Sequence, residues 1–289
     1  MGHIGLEEND MRFRHWLTVI ALLPASTLAW GDECKFSAER GGGVDAQGAD
    51  KIVIRAGAGN LKVHGASATR VDARGTACAN TQPLLDSIQI SARREGNVVV
   101  VETTLPQNDD KWTWRNDEYA YLDIDITVPS GIAIEAIDSS GDASFTDLKS
   151  LQVQDSSGDL DVARIAGALS VGDSSGDVDI EDAGSLRLQD SSGDVEVEEV
   201  RGNVQVLVDS SGDMRIRRVD GNVDVDQDSS GNIRIEDVKG SVTIDSDSSG
   251  DIYAGRLGGD FTVGSDSSGS IEHEAVRGRI SVPPHHGAE

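Results

Sequence analysis

Apolar and polar residues alternate in short stretches along the second half of the chain, and the pattern returns at a nearly constant interval. In one copy the apolar positions are Val195, Val197, Val200, Val204 and Val206. Alternation with a period of two is typical of β-strands that bury one face, whereas a helix repeats its apolar residues every three or four positions. Each copy therefore predicts two short strands joined by turns.

The tetrapeptide Asp-Ser-Ser-Gly begins every copy and predicts a tight turn, because glycine accepts positive φ angles without a side-chain clash. It occurs eight times, at intervals of 17, 18, 17, 19, 19, 19 and 19 residues. The structural turn residues are the aspartates Asp138, Asp155, Asp173, Asp190, Asp209, Asp228, Asp247 and Asp266 and the glycines Gly141, Gly158, Gly176, Gly193, Gly212, Gly231, Gly250 and Gly269. A second turn in each copy usually contains glycine as well, and we expect the same φ freedom to explain Gly167, Gly184, Gly202, Gly221, Gly240, Gly259 and Gly278.

Repeats of 17 to 19 residues predict an all-β fold, a β-solenoid of the parallel β-helix or roll type with one copy per coil. A single coil buries only five side chains, at about 1.5–3 kcal/mol each. Ordering its residues costs about 1.5 kcal/mol per residue, so a coil alone is unstable and stacking is required. A sandwich of β-hairpins is the structural alternative.

The chain divides into four predicted segments. Residues 1–29 are a signal peptide, residues 30–137 form a β-rich N-terminal region that caps or begins the solenoid, residues 138–282 form the eight-coil solenoid, and residues 283–289 are a C-terminal tail. In the N-terminal region, residues 56–63 resemble half of a degenerate repeat, and strands are expected at 87–92, 98–102 and 121–128.

The first segment predicts export. Arg12 and Arg14 precede a short apolar run, and Thr27 and Ala29 stand where a signal peptidase prefers small residues. Either Met1 or Met11 is the start of translation. No later segment is apolar for long enough to span a membrane as a helix, so the mature protein is expected in the periplasm, at the cell surface or outside the cell.

The net charge of the chain argues against one class of partner, and its two cysteines indicate a disulfide. The chain has 25 basic and 51 acidic residues, a formal charge of −26, which argues against nucleic-acid binding because that binding relies on clustered Lys and Arg. The two cysteines, Cys34 and Cys78, are expected to form a disulfide in an oxidising compartment.

Stacked coils would align the leading aspartates in one column and the residues after each Ser-Ser-Gly turn in a second, mostly acidic one. Backbone N–H groups of the turn, water and salt are expected to offset the repulsion between exposed carboxylates. No cofactor is needed for this. Calcium between successive coils is the alternative, at Asp209, Asp213, Asp228 and Asp247, because carboxylate and hydroxyl oxygens suit that ion.

Catalysis finds little support, because the acids and serines repeat evenly and no Gly-x-Ser-x-Gly motif is present. A glycan-active enzyme is the least favoured alternative.

Trp112, Trp114 and Tyr119 lie close together in a chain poor in aromatic residues. They are the candidate ligand-binding residues, since aromatic rings stack on sugars or anchor protein partners; packing over the end of the solenoid is the competing interpretation.

The repeated Asp-Ser-Ser-Gly-Asp-Val/Ile pattern, together with Ile-Asp-Ile-Thr-Val-Pro-Ser-Gly at residues 124–131, resembles a bacterial family of exported β-strand-repeat proteins called putative adhesins. The resemblance covers residues 51–282 and implies a β-solenoid, with no catalytic residues to transfer. We therefore expect a non-enzymatic module that binds an envelope protein or a glycan through repeated acidic and serine-rich turns. Neither the ligand nor the oligomeric state follows from the sequence.

Overall fold

The computed structural model describes residues 34–106 and 118–284. In chain order the strands are β1 (Phe36–Asp45), β2 (Lys51–Arg55), β3 (Leu61–Ala66), β4 (Arg70–Ala79), β5 (Gln89–Glu95), β6 (Val98–Thr104), β7 (Ala120–Pro129), β8 (Ala133–Ile137), β9 (Ala143–Leu148), β10 (Leu151–Gln154), β11 (Leu160–Gly172), β12 (Val178–Gln189), β13 (Val195–Val200), β14 (Val204–Val208), β15 (Met214–Val219), β16 (Val223–Val225), β17 (Ile233–Val238), β18 (Val242–Asp247), β19 (Ile252–Leu257), β20 (Phe261–Asp266), β21 (Ile271–Val276) and β22 (Ile280–Ser281). One short helix, α1 (Gln82–Ser87), precedes β5.

Parallel pairing between successive coils confirms the β-solenoid. The first ladder runs β3, β9, the first part of β11 and of β12, β13, β15, β17, β19 and β21. The second ladder runs β2, β8, β10, the later parts of β11 and β12, β14, β16, β18, β20 and β22. Each coil contributes one short strand to each ladder, as the sequence pattern predicts.

The apolar core lies between the two ladders. The five predicted inward side chains of one copy, Val195, Val197, Val200, Val204 and Val206, are all buried. They pair in register with residues of the same kind in the next coil, such as Val195 with Met214 and Val204 with Val223. Because each layer covers the apolar side chains of its neighbours, the stack buries surface that one coil would leave in water.

The N-terminal region supplies both a coil and antiparallel strands. β2 and β3 join the two parallel ladders, so the degenerate repeat at residues 56–63 takes part in a coil. β7 pairs with β3 in parallel and with β4 antiparallel, and β1 pairs antiparallel with β4. β5 and β6 form an antiparallel pair beside β2. The predicted strands at 98–102 and 121–128 are present, whereas the one at 87–92 begins at Gln89, after α1.

Cys34 and Cys78 form the predicted disulfide, with their Cα atoms 5.7 Å apart and 44 residues between them in sequence. The bond ties the segment before β1 to the end of β4, where Ser37 pairs with Cys78. It therefore joins the antiparallel N-terminal strands to each other rather than one solenoid coil to the next.

Glycines in the first turn have the positive φ that the sequence predicts, from 110° at Gly141 to 136° at Gly250. They also stack. A Cβ atom on Gly212 would lie 1.8 Å from the carbonyl oxygen of Gly193, and one on Gly231 would lie 1.7 Å from that of Gly212. Real Cβ atoms do not approach backbone that closely, so both conformation and close packing require glycine here.

The expected reason for glycine in the second turn is wrong. None of those glycines has a positive φ; their constraint is the approach of successive coils, since a Cβ on Gly221 would lie 2.5 Å from the carbonyl oxygen of Gly202. The left-handed residue of this corner stands two or three positions before the glycine and is not itself glycine. Its φ lies between 52° and 61° at Asp147, Arg164, Asp182, Glu199, Arg218, Asp237, Arg256 and Ala275. Ion pairs join several of these side chains between coils, such as Arg164 with Asp147 at 2.7 Å.

Candidate functional site

The leading aspartates align from coil to coil, but their side chains are not exposed as expected. Asp209 pairs with Asp228, Asp228 with Asp247, and Asp247 with Asp266. All but the last are at most 4% exposed. We call these seven residues the buried aspartate column: Asp138, Asp155, Asp173, Asp190, Asp209, Asp228 and Asp247. The expectation that water and salt screen them is therefore wrong.

Strand periodicity, with one inserted residue in the longer copies, explains why these carboxyl groups point inward. Leu186 and Leu188 are buried at alternate positions of β12, and Asp190 follows at the next inward position. The same alternation carries Leu169 and Val171 on to Asp173. Extending the apolar period by two residues places the aspartates of the four shorter stretches inside, as at Asp190. In the longer copies a register shift after Leu188, where Gln189 pairs with Val208, inserts the one extra residue that brings Asp209 to the same position. Because the Asp-Ser-Ser-Gly motif is typical of an exposed turn, the predicted strand alternation stops before the aspartates.

Turn N–H groups satisfy only part of the buried aspartate column. The N–H of Ser156 donates to Oδ1 of Asp155 at 2.7 Å, and that of Ser249 donates to Oδ1 of Asp247 at 3.2 Å. These contacts agree with the expected local compensation. Neither carboxylate oxygen accepts a hydrogen bond of good geometry in five members of the column: Asp138, Asp173, Asp190, Asp209 and Asp228.

Burial raises the pKa of every carboxyl group in the column, because an ionised carboxylate loses its hydration there. It raises the pKa of Asp138 to about 7, and Asp155 adds to the effect. Burial with the neighbouring carboxyl of Asp190 raises the pKa of Asp173 to about 7. Burial with Asp209 and Asp247 nearby does the same for the pKa of Asp228, to about 7.

The residues after the Ser-Ser-Gly turns form a second column, which we call the exposed ladder; all are exposed except Ser270, which is half-buried. In it, the side-chain oxygen of one coil accepts the backbone N–H of the equivalent residue in the next, as Asp177 Oδ1 does from Asp194 at 2.9 Å. These bonds are 2.8 to 3.3 Å long and run through Asp123, Asn60, Asp142, Asp159, Asp177, Asp194, Asp213, Asn232, Asp251 and Ser270. The sequence located this second acidic column but not its hydrogen bonds.

The two serines of the turn differ in exposure. The hydroxyl of the second serine donates to a carbonyl of the preceding coil, as Ser230 Oγ does to the carbonyl of Ser210 at 3.1 Å. The first serine also donates to a carbonyl of the preceding coil at Ser139 and Ser156, both at 3.3 Å. This first serine is exposed in seven of the eight turns and half-buried at Ser229. First-serine hydroxyls and the exposed ladder therefore occupy the same turns, one pair per coil.

A shallow groove of about 560 Å³ runs beside the exposed ladder across five coils. One side is formed by ladder residues such as Asp194 and Asp213, and the other by outward residues of the first ladder of strands, including Glu196 and Arg234. The guanidinium carbon of Arg234 lies 4.2 Å from the centroid of the Tyr253 ring. This cation–π contact fixes the one aromatic side chain of the groove lining.

Of the three aromatic residues predicted to bind a ligand, two lie outside the described residues and the third is not part of the groove. Trp112 and Trp114 are the two outside. Tyr119 is 39% exposed, its hydroxyl accepts the N–H of Lys35 at 3.2 Å, and its ring lies 6.3 Å from that of Tyr121. Tyr119 thus packs at the antiparallel N-terminal end, away from the groove lining.

The four residues named for calcium fall into two different columns. Asp209, Asp228 and Asp247 belong to the buried aspartate column, whereas Asp213 is exposed and accepts the N–H and the side-chain amide of Asn232 through Oδ1. Within the described ranges, no group of three or more His, Cys, Asp and Glu side chains has an arrangement suited to a metal ion. Likewise, no helix in these ranges is long and apolar enough to cross a membrane.

The chain matches several solved structures at low sequence identity. A putative cell adhesion protein from Clostridium sporogenes shares 12% identity, with 86% of this chain and 99% of that chain covered and a TM-score of 0.31. A putative adhesin from Bacteroides fragilis shares 14%, with 85% and 97% covered and a TM-score of 0.40. A putative lipid binding protein from Parabacteroides distasonis shares 14%, with 84% and 96% covered and a TM-score of 0.37.

No curated protein matches the chain. The model of the Toastrack DUF4097 family matches residues 95–279, which is more than half of the chain and spans the repeats. The expected resemblance to a β-strand-repeat family is thereby confirmed, and the function of that family is not established. The chain belongs to the Toastrack DUF4097 family.

Proposed function

We propose that the protein is an exported, non-enzymatic adhesin or cell-envelope interaction module that binds through the exposed edge of its turns. The observation that carries the proposal is the pairing, in successive coils, of an exposed first serine with a residue of the exposed ladder. A partner that contacts one coil would meet nearly the same pair of groups in the next coil, about 4.8 Å away.

The exposed ladder favours binding because it orders the carboxylates in advance. Each ladder bond uses one oxygen, Oδ1 in Asp177, Asp194 and Asp213, so the second carboxylate oxygen remains for a partner. Side chains that are already fixed lose less conformational entropy when a ligand binds. Weak contacts repeated along one rigid edge add to a useful avidity without any single strong site.

The proposed partner is an elongated component of the cell envelope, a protein or a glycan that presents donors at regular intervals. The disulfide between Cys34 and Cys78 supports an oxidising location such as the periplasm, the cell surface or the exterior. The predicted signal peptide lies outside the described residues and agrees with the same location.

The even distribution of acids supports a binding role over catalysis. A general acid and base require two groups whose surroundings differ from those of their neighbours. Here the equivalent residues Asp177, Asp194 and Asp213 have the same contacts in successive coils. The second serines donate to carbonyl groups, as Ser230 does, rather than to a histidine that could activate them.

The test is a charge-removal series on the exposed ladder. Asp194→Asn and Asp213→Asn, alone and combined, keep Oδ1 but remove the charge; Asn232 already occupies this position in the native protein. Binding to a glycan array and to immobilised envelope fractions should weaken stepwise as charges are removed. Asp245→Asn, an exposed change on the second ladder of strands, is the charge-matched control and should leave binding unchanged.

Two results would contradict this proposal. Full binding by the double variant would place the binding surface elsewhere. Turnover of an envelope glycan by the wild-type protein, lost in the same variants, would replace the binding role with an enzymatic one.

A further inference from the structure

The buried aspartate column lacks the positive partners that normally accompany buried carboxylates. Of the ion pairs formed by the described residues, none includes a member of the column. Neither carboxylate oxygen of Asp138, Asp173, Asp190, Asp209 or Asp228 accepts a hydrogen bond of good geometry. Seven ionised carboxylates in a row without a countercharge would destabilise the fold strongly.

Charged groups around the column add to this repulsion. Asp173 faces Asp155 and Asp190, and Asp228 faces Asp209 and Asp247. The N–H groups of the turn serines act on the column in the opposite sense. The other acidic influences are Asp155 on Asp138, Asp142 on Asp155, Asp177 on Asp190, Asp190 and Asp194 on Asp209, and Asp266 on Asp247. The groups that shift the pKa of these seven residues include no Lys, Arg or His among the described residues.

A proton shared between two carboxyl groups both supplies the missing hydrogen-bond donor and reduces the repulsion between the negative charges. It turns one acceptor into a donor, so two facing oxygens form a short hydrogen bond and share one negative charge instead of two. The carboxyl groups of Asp173 and Asp190 act on each other, as do those of Asp228 and Asp247, which pair directly between successive coils. No group suited to a metal ion is present in the described part of the chain to do this instead.

We propose that the buried aspartate column is a proton-dependent lock on the solenoid, in which protons shared between successive coils hold the Ser-Ser-Gly edge closed. When the protons leave to solvent, the column gains negative charge and this edge loosens, while the apolar core between the two ladders keeps the coils stacked. This inference concerns the fold itself and does not depend on the proposed binding role.

The direction of the pH effect follows from proton linkage. In the unfolded chain these aspartates ionise near pH 4, whereas the folded column holds its protons to higher pH, with a pKa of about 7 at Asp138, Asp173 and Asp228. The folded state therefore binds more protons between these values, and stability falls as pH rises from about 4 to about 7. Surface carboxylates with lowered pKa, such as Asp147 and Asp237 beside arginines, act in the opposite sense below that range.

The experiment compares thermal melting from pH 4.5 to 8.5 in the wild type, in Asp173→Asn/Asp228→Asn and in the control Asp213→Asn. Asparagine keeps the shape and can stack in a ladder of amides, but it cannot ionise. We expect the melting temperature of the wild type to fall across this range. The double variant should lose roughly half of that fall, because two of the four most shifted groups are removed. Asp213→Asn should behave as the wild type.

A second measurement covers the case in which the double variant does not fold. Carboxyl ¹³C signals of the wild-type protein, labelled at aspartate, should include several that still titrate between pH 6 and 7, and amide exchange at the second serines should accelerate over the same interval. Titration of every aspartate below about pH 5 would overturn the proposal. An unchanged pH dependence of melting in a folded double variant would do so as well.

Discussion

Asn232 Oδ1 accepts the backbone N–H of Asp251 at 3.0 Å, in the same way that Asp213 Oδ1 accepts the N–H of Asn232. A neutral amide thus replaces a carboxylate in the exposed ladder without breaking it. The exposed ladder therefore depends on a side-chain oxygen at the correct distance from the backbone. The negative charge of the aspartates is not needed for these hydrogen bonds, and in the proposed function it contacts the partner.

The first prediction separates these two properties at Asp194. Asp194→Ala removes the acceptor for the N–H of Asp213 and should lower the free energy of unfolding by about 1 kcal/mol. Asp194→Asn keeps the acceptor and should leave stability nearly unchanged. Urea unfolding of the three proteins measures the difference, and equal stability of the two variants would show that the ladder bond contributes nothing.

The second prediction concerns the stacked glycines. Gly212→Ala places a Cβ 1.8 Å from the carbonyl oxygen of Gly193 at a φ of 131°. The added methyl group would push two coils apart, and alanine at this φ would strain the backbone. The sum of the two effects should lower the free energy of unfolding by more than about 3 kcal/mol.

Gly131→Ala is the matched control, because no atom lies within 4 Å of the position that its added methyl group would take and its φ is not positive. It should change stability by less than about 0.5 kcal/mol. Similar losses in the two variants, measured by urea unfolding, would mean that coil stacking does not constrain position 212.

The third prediction concerns the disulfide. Removing it with Cys34→Ser/Cys78→Ser opens a loop with a sequence separation of 44 residues and should lower the free energy of unfolding by about 4 kcal/mol on the chain-entropy estimate. Reduction of the wild type should lower its melting temperature similarly. Full stability after reduction would contradict the prediction, and the double variant, which has no thiol to reduce, controls for other effects of the reductant.

The fourth prediction addresses calcium. Because the structure places Asp213 apart from Asp209, Asp228 and Asp247, we expect calcium to raise the melting temperature no more than magnesium at equal ionic strength. Differential scanning calorimetry with calcium, magnesium and chelator compares them directly. A large rise with calcium alone, abolished in Asp228→Asn, would restore the calcium-stabilised module.

The repeat alone was sufficient to predict coils, strands and core. Val195, Val197 and Val200 alternate on the inner face as their spacing indicates, because a strand has only two faces and apolar side chains leave water. The repeat also located the first-turn glycines, because few residues other than glycine accept a φ in this positive range.

Tertiary structure decided what surrounds each polar group. Asp190 and Asp194 are both turn aspartates in sequence, yet one is buried in a column of carboxyl groups and the other lies in an exposed ladder. Likewise, Gly221 avoids a carbonyl of the neighbouring coil, while Arg218 takes the left-handed conformation. Local sequence specifies strand period and turn preference, but burial, proton sharing and close backbone contact arise only when one coil lies on the next.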